Sequence, residues 1–391
     1  MKLVYVTNAR VPSEKAHPYQ IMKMCEAFKQ HGVDVHLIIP WRVQTPEMRA
    51  VKSIWEYYGI SEKFDVKKIP CLDFLWIFYY LRLPPWLELA IWRLLSFSFA
   101  TFATIYLLFD RADIYYSRDV LTLGFLSFFK KNLYLEIHQK AKLVRLAGLL
   151  FNRINGLIVI TSYLKDFFTK LGVPEGKILV APDGVDLGMF DNSLSKGEAR
   201  KQIGIPTDEK VVCYTGHLYS WKGAHVLARS AKYLKEAKVY FVGGTPDDIQ
   251  NFRKFIREND LSNIVIVGHV PPSNVPQYLA ASDVVVLPNI QEGWSYSTSP
   301  LKLFEYMASR RPIVASDLPV IREVLNHGNA ILVEPGNPEA LAEGICVVLD
   351  NEELADRIVE KAYSEVYQYT WLMRAKGILE FIKERSSLSE I

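Results

Sequence analysis

Short apolar runs alternate with longer helical patterns along almost the whole chain, and that alternation leaves few folds open. In the first half the strand candidates are Leu3–Thr7, Asp34–Ile39, Val66–Ile69, Ile114–Ser117, Leu133–Ile137, Leu157–Thr161 and Ile178–Ala181. The series then restarts with Val211–Tyr214, Val239–Val242, Ile264–Val267, Val284–Leu287, Ile313–Ala315 and Ile331–Val333. Most of these runs are nearly continuous in apolar residues, as expected for strands covered on both faces. Helical segments such as Tyr19–Lys29 and Leu143–Ile154 separate them. Repeated β-α-β alternation specifies a parallel, doubly wound sheet, so the sequence predicts an α/β chain with two such domains in series and a cleft between them. A length of 391 residues suits two domains better than one. Turn chemistry gathers in Asp183–Gly204, which puts the expected boundary near Asn192, with domains 1–191 and 192–370.

Composition excludes some classes. Half the residues are hydrophobic and 23% are charged, enough for large cores. A net charge of +3 predicts no nucleic-acid partner. Cys25, Cys71, Cys213 and Cys346 are far apart and form no metal-binding spacing, so no metal site is expected and the thiols read as reduced and cytoplasmic. The chain opens on a strand pattern rather than a signal peptide. The most apolar region, Leu72–Phe109, is interrupted by Arg82, Pro84, Pro85, Glu88 and Arg93. Its longest uncharged run, Leu94–Phe109, has 16 residues. A span needs about 20, so buried helices or a membrane-contacting surface are expected instead.

Open parallel sheets bind ligands at the carboxyl ends of their strands. Two segments at such positions carry chemistry. Tyr214-Thr-Gly216-His217-Leu-Tyr-Ser-Trp-Lys222-Gly223 follows a strand and leads into a helix over Ala224–Leu234. Glycine lets a phosphate approach the backbone, a helix start offers N–H groups, and lysine adds charge. Ser297-Thr298-Ser299-Pro300-Leu301-Lys302-Leu-Phe-Glu305 follows Val284–Leu287 through a polar loop. Ser299 is expected to cap a helix with Pro300 in its first turn. The free N–H groups of that helix start suit a diphosphate, and Lys302 and Glu305, three apart, share a helical face, where the carboxylate suits ribose hydroxyls. Each segment by itself also reads as an ordinary capped loop.

Taken in order, the second half resembles the retaining family 4 glycosyltransferases of the two-Rossmann GT-B architecture. The matching pieces are Gly216-His217…Lys222-Gly223, Gly243-Gly244, Gly268-His269-Val270 and Ser297-x7-Glu305, preceded by Pro182-Asp183-Gly-Val-Asp186…Phe190. The resemblance implies transfer of a sugar from a nucleotide-diphosphate sugar, UDP- or GDP-linked, with no resident cofactor. It implies that Lys222 and Gly216 meet the donor diphosphate and that Glu305 holds the ribose. It implies further that Val270 reads the base, and that Thr298–Leu301 hold phosphate and sugar. The family's arginine is His217 here, and its first glutamate is Ser297, which leaves the donor sugar unspecified. On the acceptor side His138, at the end of Leu133–Ile137, is similar to the family's active-site histidine, while Lys15, His17 and Arg118 are candidate polar contacts. The last helix, Trp371–Lys383, is implied to cross back to the first domain.

No strand-end Asp-x-Asp pair appears, which predicts metal-independent transfer. The basic, amphipathic stretch Lys140–Arg153 and the aromatic region Leu72–Phe109 suggest docking on an anionic inner membrane face, and with it a lipid-linked or surface-polysaccharide acceptor. Two other readings share the donor motif: a nucleotide-sugar epimerase of the same architecture, and a non-catalytic sugar-nucleotide binder.

Overall fold

The computed structural model describes residues 1–79, 84–140, 150–191, 194–292 and 299–386. It divides into two compact units, Met1–Pro182 with Trp371–Ile391, and Asp183–Thr370.

The first unit is built on a seven-stranded parallel sheet in the order β3-β2-β1-β4-β5-β6-β7. Its strands are β1 (Lys2–Val6), β2 (Asp34–Pro40), β3 (Asp65–Ile69), β4 (Ile114–Ser117), β5 (Leu133–Ile137), β6 (Gly156–Val159) and β7 (Ile178–Val180). Helix α1 (Ala16–Gln30) follows β1. The long helix α2 (Pro85–Phe109) precedes β4. Within α2, Leu95, Phe99, Ala103 and Leu107 recur every four residues and are fully buried. That stripe covers the sheet: Phe99, Ala103 and Leu107 share a core with Val4, Val6, Leu133, Leu135, Leu157 and Val159. The opposite face of α2 is also apolar and stands exposed, with Phe97 at 57% and Phe109 at 86%. The helix is longer than the uncharged run because Glu88 and Arg93 lie at exposed positions within it. By length and composition alone α2 is sufficient to cross a membrane, whereas its buried stripe gives it the work of a sheet-covering helix.

Helix α3 (Val120–Leu126) follows β4 and is capped by Asp119, whose side chain accepts from the Leu121 N–H. The sheet order reverses between β1 and β4, which makes their carboxyl ends the unit's switch point.

The second unit carries a six-stranded parallel sheet in the order β10-β9-β8-β11-β12-β13. These are β8 (Lys210–Thr215), β9 (Ala237–Val242), β10 (Ile264–Gly268), β11 (Val284–Leu287), β12 (Ile313–Ser316) and β13 (Ile331–Val333). Here the switch point lies between β8 and β11. Helices α4 (Ala224–Ser230), α5 (Pro246–Glu258) and α6 (Leu301–Ala308) follow β8, β9 and β11. All thirteen expected strands are present.

The division between the units falls at Pro182/Asp183 rather than near Asn192. Asp183–Asp191 is turn-rich, yet Val185 and Phe190 pack into the second core beside Leu303, Phe304 and Val366. The Val185 N–H also donates to the Tyr369 carbonyl at 2.9 Å. The final helix α7 (Trp371–Arg385) belongs to the first unit. There the Tyr134 hydroxyl donates to the Ile382 carbonyl at 3.1 Å.

Candidate functional site

In the second unit the two motif segments meet at the switch point. Gly216 ends β8 with φ 121°, and its N–H donates to the Val242 carbonyl at 2.8 Å. Tyr306 of α6 accepts from the Thr215 N–H at 2.9 Å, which ties the end of β8 to this helix. The turn after β11 is equally close: a Cβ on Gly223 would lie 1.6 Å from the Pro288 carbonyl oxygen.

The side chains this brings together are Lys222, Lys302, Glu305 and Tyr214. Lys302 is 9% exposed, and its ammonium sits 3.7 Å from the centroid of the Tyr214 ring. Its Nζ has no hydrogen-bond partner among the described residues. A Cβ on Gly216 would lie 4.0 Å from that Nζ, so the glycine turn borders the lysine head. Burial, and then the charge of Lys222, hold Lys302 well below its ordinary pKa, with Glu305 acting in the opposite sense. Burial lowers Lys222 to about 8, against the pull of Asp248. Burial raises Glu305 to about 7, partly offset by Lys302. Two buried lysines, a glycine turn and a helix start thus lie together, and the negative charge of a diphosphate would favour the ammonium form of both side chains.

Other expected residues fall differently. Ser299 does not cap α6: the helix begins at Leu301 after Pro300, with no side-chain cap. The Ser299 hydroxyl instead accepts from the Asp183 N–H at 3.2 Å, which brings the Asp183-Gly-Val-Asp186 segment to the same loop. The helix over Ala224–Leu234 ends as α4 at Ser230 and continues as a 3-10 turn, Ala231–Tyr233. His217 lies with Nδ1 3.4 Å from Asp248 and stacks on Tyr219 at a centroid separation of 4.9 Å. Val270 is half-buried just after β10, two strands along from β8. Ser297 and Thr298 lie outside the described residues.

In the first unit, β1, β4 and β5 and helices α1 and α7 converge on Glu136. His138 leaves the end of β5, and its Nε2 lies 2.5 Å from Glu136 Oε1. Arg118 donates to Gln20 Oε1 at 2.6 Å, and Gln20 donates in turn to Glu136 at 2.8 Å. His17 sits in the first turn of α1 and Lys15 just before it, both exposed.

Sequence reasoning missed four residues at these two places: Tyr214, Asn289, Glu136 and Arg374. Asn289 is 3% exposed just past β11, and its Oδ1 has no partner among the described residues. Glu136 gave one signal, a charge inside an otherwise apolar strand. Arg374 gave none.

Residues 195–365 match the model of the family described as glycosyl transferases group 1. An uncharacterized glycosyltransferase of Methanocaldococcus jannaschii is 28% identical over 238 residues, which cover 58% of this chain and 59% of that one. The putative teichuronic acid biosynthesis glycosyltransferase TuaC of Bacillus subtilis is 29% identical over 191 residues, covering 48% and 45%. The chain thus spans about half the length of the curated relatives it matches. Among solved structures, Anabaena HepE in complex with UDP superposes with a TM-score of 0.74 at 17% identity, over 100% of both chains. The same protein was also solved with UDP-glucose. At that identity the likeness speaks for the fold. Residues 195–365 are therefore similar to the glycosyl transferases group 1, and the chain has the two-sheet α/β fold of the GT-B enzymes.

Proposed function

We propose that the chain is a retaining, metal-independent glycosyltransferase of family 4, which moves a sugar from a nucleoside diphosphate sugar to an acceptor hydroxyl. The observation that carries this reading is Lys302, a buried ammonium over Tyr214 whose Nζ lacks a hydrogen-bond partner among the described residues, beside Lys222 and the Gly216 turn. Sugar transfer leaves negative charge on the departing diphosphate. Fixed cations and N–H groups already aimed at that charge stabilise the transition state without a metal ion. Glu305 accepts hydrogen bonds from the ribose, and His138 serves the acceptor hydroxyl. UDP is the first nucleotide to test, because HepE is a complex with UDP and with UDP-glucose. TuaC, named for teichuronic acid, favours a surface-polysaccharide or glycolipid acceptor.

A thermal-stability screen with UDP, GDP, ADP and dTDP is the direct test. A ligand at about 100 times its Kd adds about 2.7 kcal/mol, a rise of about 5–10 °C for a unit of this size. No shift with any of the four would sink the reading. The winning nucleotide should take up protons on binding at pH 8.5. The sign follows from the lysines: Lys222 has a pKa of about 8 when free, and a bound diphosphate raises it. Binding therefore takes up protons above pH 8, and affinity falls by up to about tenfold per pH unit there. Calorimetry in two buffers of different ionisation enthalpy reads this uptake. With the sugar donor, turnover should survive chelation, and the new linkage should keep the donor's anomeric configuration by NMR.

The chain is further proposed to work in the cytoplasm against the inner face of the cell membrane. Support comes from the outer face of α2, where Leu94, Phe97, Phe102, Ile105 and Phe109 are exposed. Basic side chains border it: Lys67 lies 5.9 Å from the Tyr106 ring of α2, and Arg153 lies 4.1 Å from Phe128, next to Lys130 and Lys131. An apolar face with a basic rim suits an anionic bilayer surface. Residues 141–149, the middle of the basic stretch Lys140–Arg153, lie outside the described residues. Vesicles containing anionic lipid should retain the protein at low salt, and F97S/F102S should weaken that retention at least tenfold. Equal retention by both proteins would refute this role for α2.

A further inference from the structure

We infer that Glu136 is a positioning residue: its buried carboxylate orients the His138 imidazole and keeps a proton on Nε2. The inference rests on the reading that His138 serves the acceptor hydroxyl. Glu136 is 1% exposed on β5, in the middle of the first unit's sheet. A carboxylate in that place would be costly to bury without strong partners. Its partners come from three other elements and from the end of its own strand. Gln20 of α1 donates at 2.8 Å, the Tyr116 hydroxyl of β4 donates, and Arg374 of α7 donates at 3.0 Å. His138, just past the end of the same strand, completes the set. Arg374 is itself 6% exposed, so the ion pair is internal.

An internal ion pair hydrogen-bonded from several elements is rigid, because each partner would be stranded by any movement of the others. The imidazole is only partly buried, with 17% of its side chain accessible, and it takes its direction from this fixed acceptor. With Nε2–H donating to Glu136, Nδ1 is the nitrogen whose protonation changes. The carboxylate also favours the imidazolium, as an adjacent negative charge does. Other groups face the pair. Arg118 acts on Glu136 in the same sense as Arg374; Tyr5 of β1, Tyr116 of β4 and Cys25 of α1 surround it, and His17 stands near His138. Against the opposing effect of burial, Arg374, then the hydrogen bond and charge of His138, then Arg118 hold Glu136 well below the usual carboxylate range.

The test is the isosteric E136Q in the full chain, labelled with 15N-histidine. The His138 titration midpoint should fall by about one pH unit or more. The acidic limb of the kcat profile should move by the same amount. kcat should drop at least about tenfold, while the KM for the donor, held by the second unit, stays unchanged. A purely structural carboxylate would lower stability and leave the His138 midpoint where it was; that result overturns the inference. If E136Q does not fold, E136D keeps a charge for Arg374 while drawing it back from His138, and the same midpoint decides. A shifted midpoint with unchanged turnover would support the positioning role and remove His138 from the reaction, so the two ideas fail separately.

Discussion

Replacing Lys302 with methionine is expected to cut turnover by about 100- to 1,000-fold while leaving the ligand-free protein at least as stable as before. Methionine fills nearly the same volume and carries no charge. In the free protein the Lys302 ammonium is desolvated, and its Nζ has no hydrogen-bond partner among the described residues. Its contact with the Tyr214 ring is worth about 2 kcal/mol when desolvated. A buried unpaired cation costs more than that, so K302M should change stability by between zero and about +2 kcal/mol. Activity should move the other way. Removing one fixed donor from a developing anion typically costs about 100- to 1,000-fold in kcat, and K222A should lose a similar factor. Denaturation curves and steady-state rates on the same preparations decide the matter. K302M that unfolds at lower denaturant, or that turns over normally, would contradict the assignment of Lys302 to the diphosphate.

The second large effect is G223A, expected to cost more than about 4 kcal/mol and to leave the second unit unfolded or insoluble. Gly223 has φ +76°, a conformation disfavoured for alanine. The added methyl would also lie 1.6 Å from the Pro288 carbonyl oxygen and 2.5 Å from its carbon. Those are backbone atoms at the end of β11, between β8 and β12 in the sheet, and they cannot rotate away as a side chain can. The control is G377A. Gly377 lies inside α7 with nothing within 4 Å of an added Cβ, so alanine there should stabilise by about 0.5–1 kcal/mol. Urea unfolding of both variants gives the comparison, and a soluble G223A of normal stability would refute the close approach of the two loops.

Gly223 also marks the limit of what the sequence discloses. Its place after a lysine and before a helix was legible; its fit under Pro288 was not, because that depends on where a second loop passes. Strands were legible throughout, since parallel strands buried on both faces write continuous apolar runs. The border between units was displaced because Asp183–Asp191 has the composition of a turn and the packing of a core segment: Val185 and Phe190 are buried although their neighbours are polar. Ser299 had the right chemistry for a cap, yet a proline at the cap position let the helix begin later and freed the hydroxyl for Asp183. The extent of α2 was underread because Glu88 and Arg93 look like interruptions in a string, whereas on a helix they occupy its exposed side. Glu136 and Arg374 stand 238 residues apart, and no local pattern links them.

That separation in the chain has a consequence for biosynthesis. The first unit is an early product of the ribosome except for α7, its last piece, which follows the whole of Asp183–Thr370. At about 5–20 residues per second, the nascent unit waits about 10–40 s before Arg374 exists. During that interval Glu136 lacks Arg374, and the surface where Phe381 crosses Gly156 lies uncovered. Vectorial folding therefore favours completion of the second unit first, although the first unit is begun earlier. A transcript cut short after Thr370 would yield one finished unit and one that cannot close.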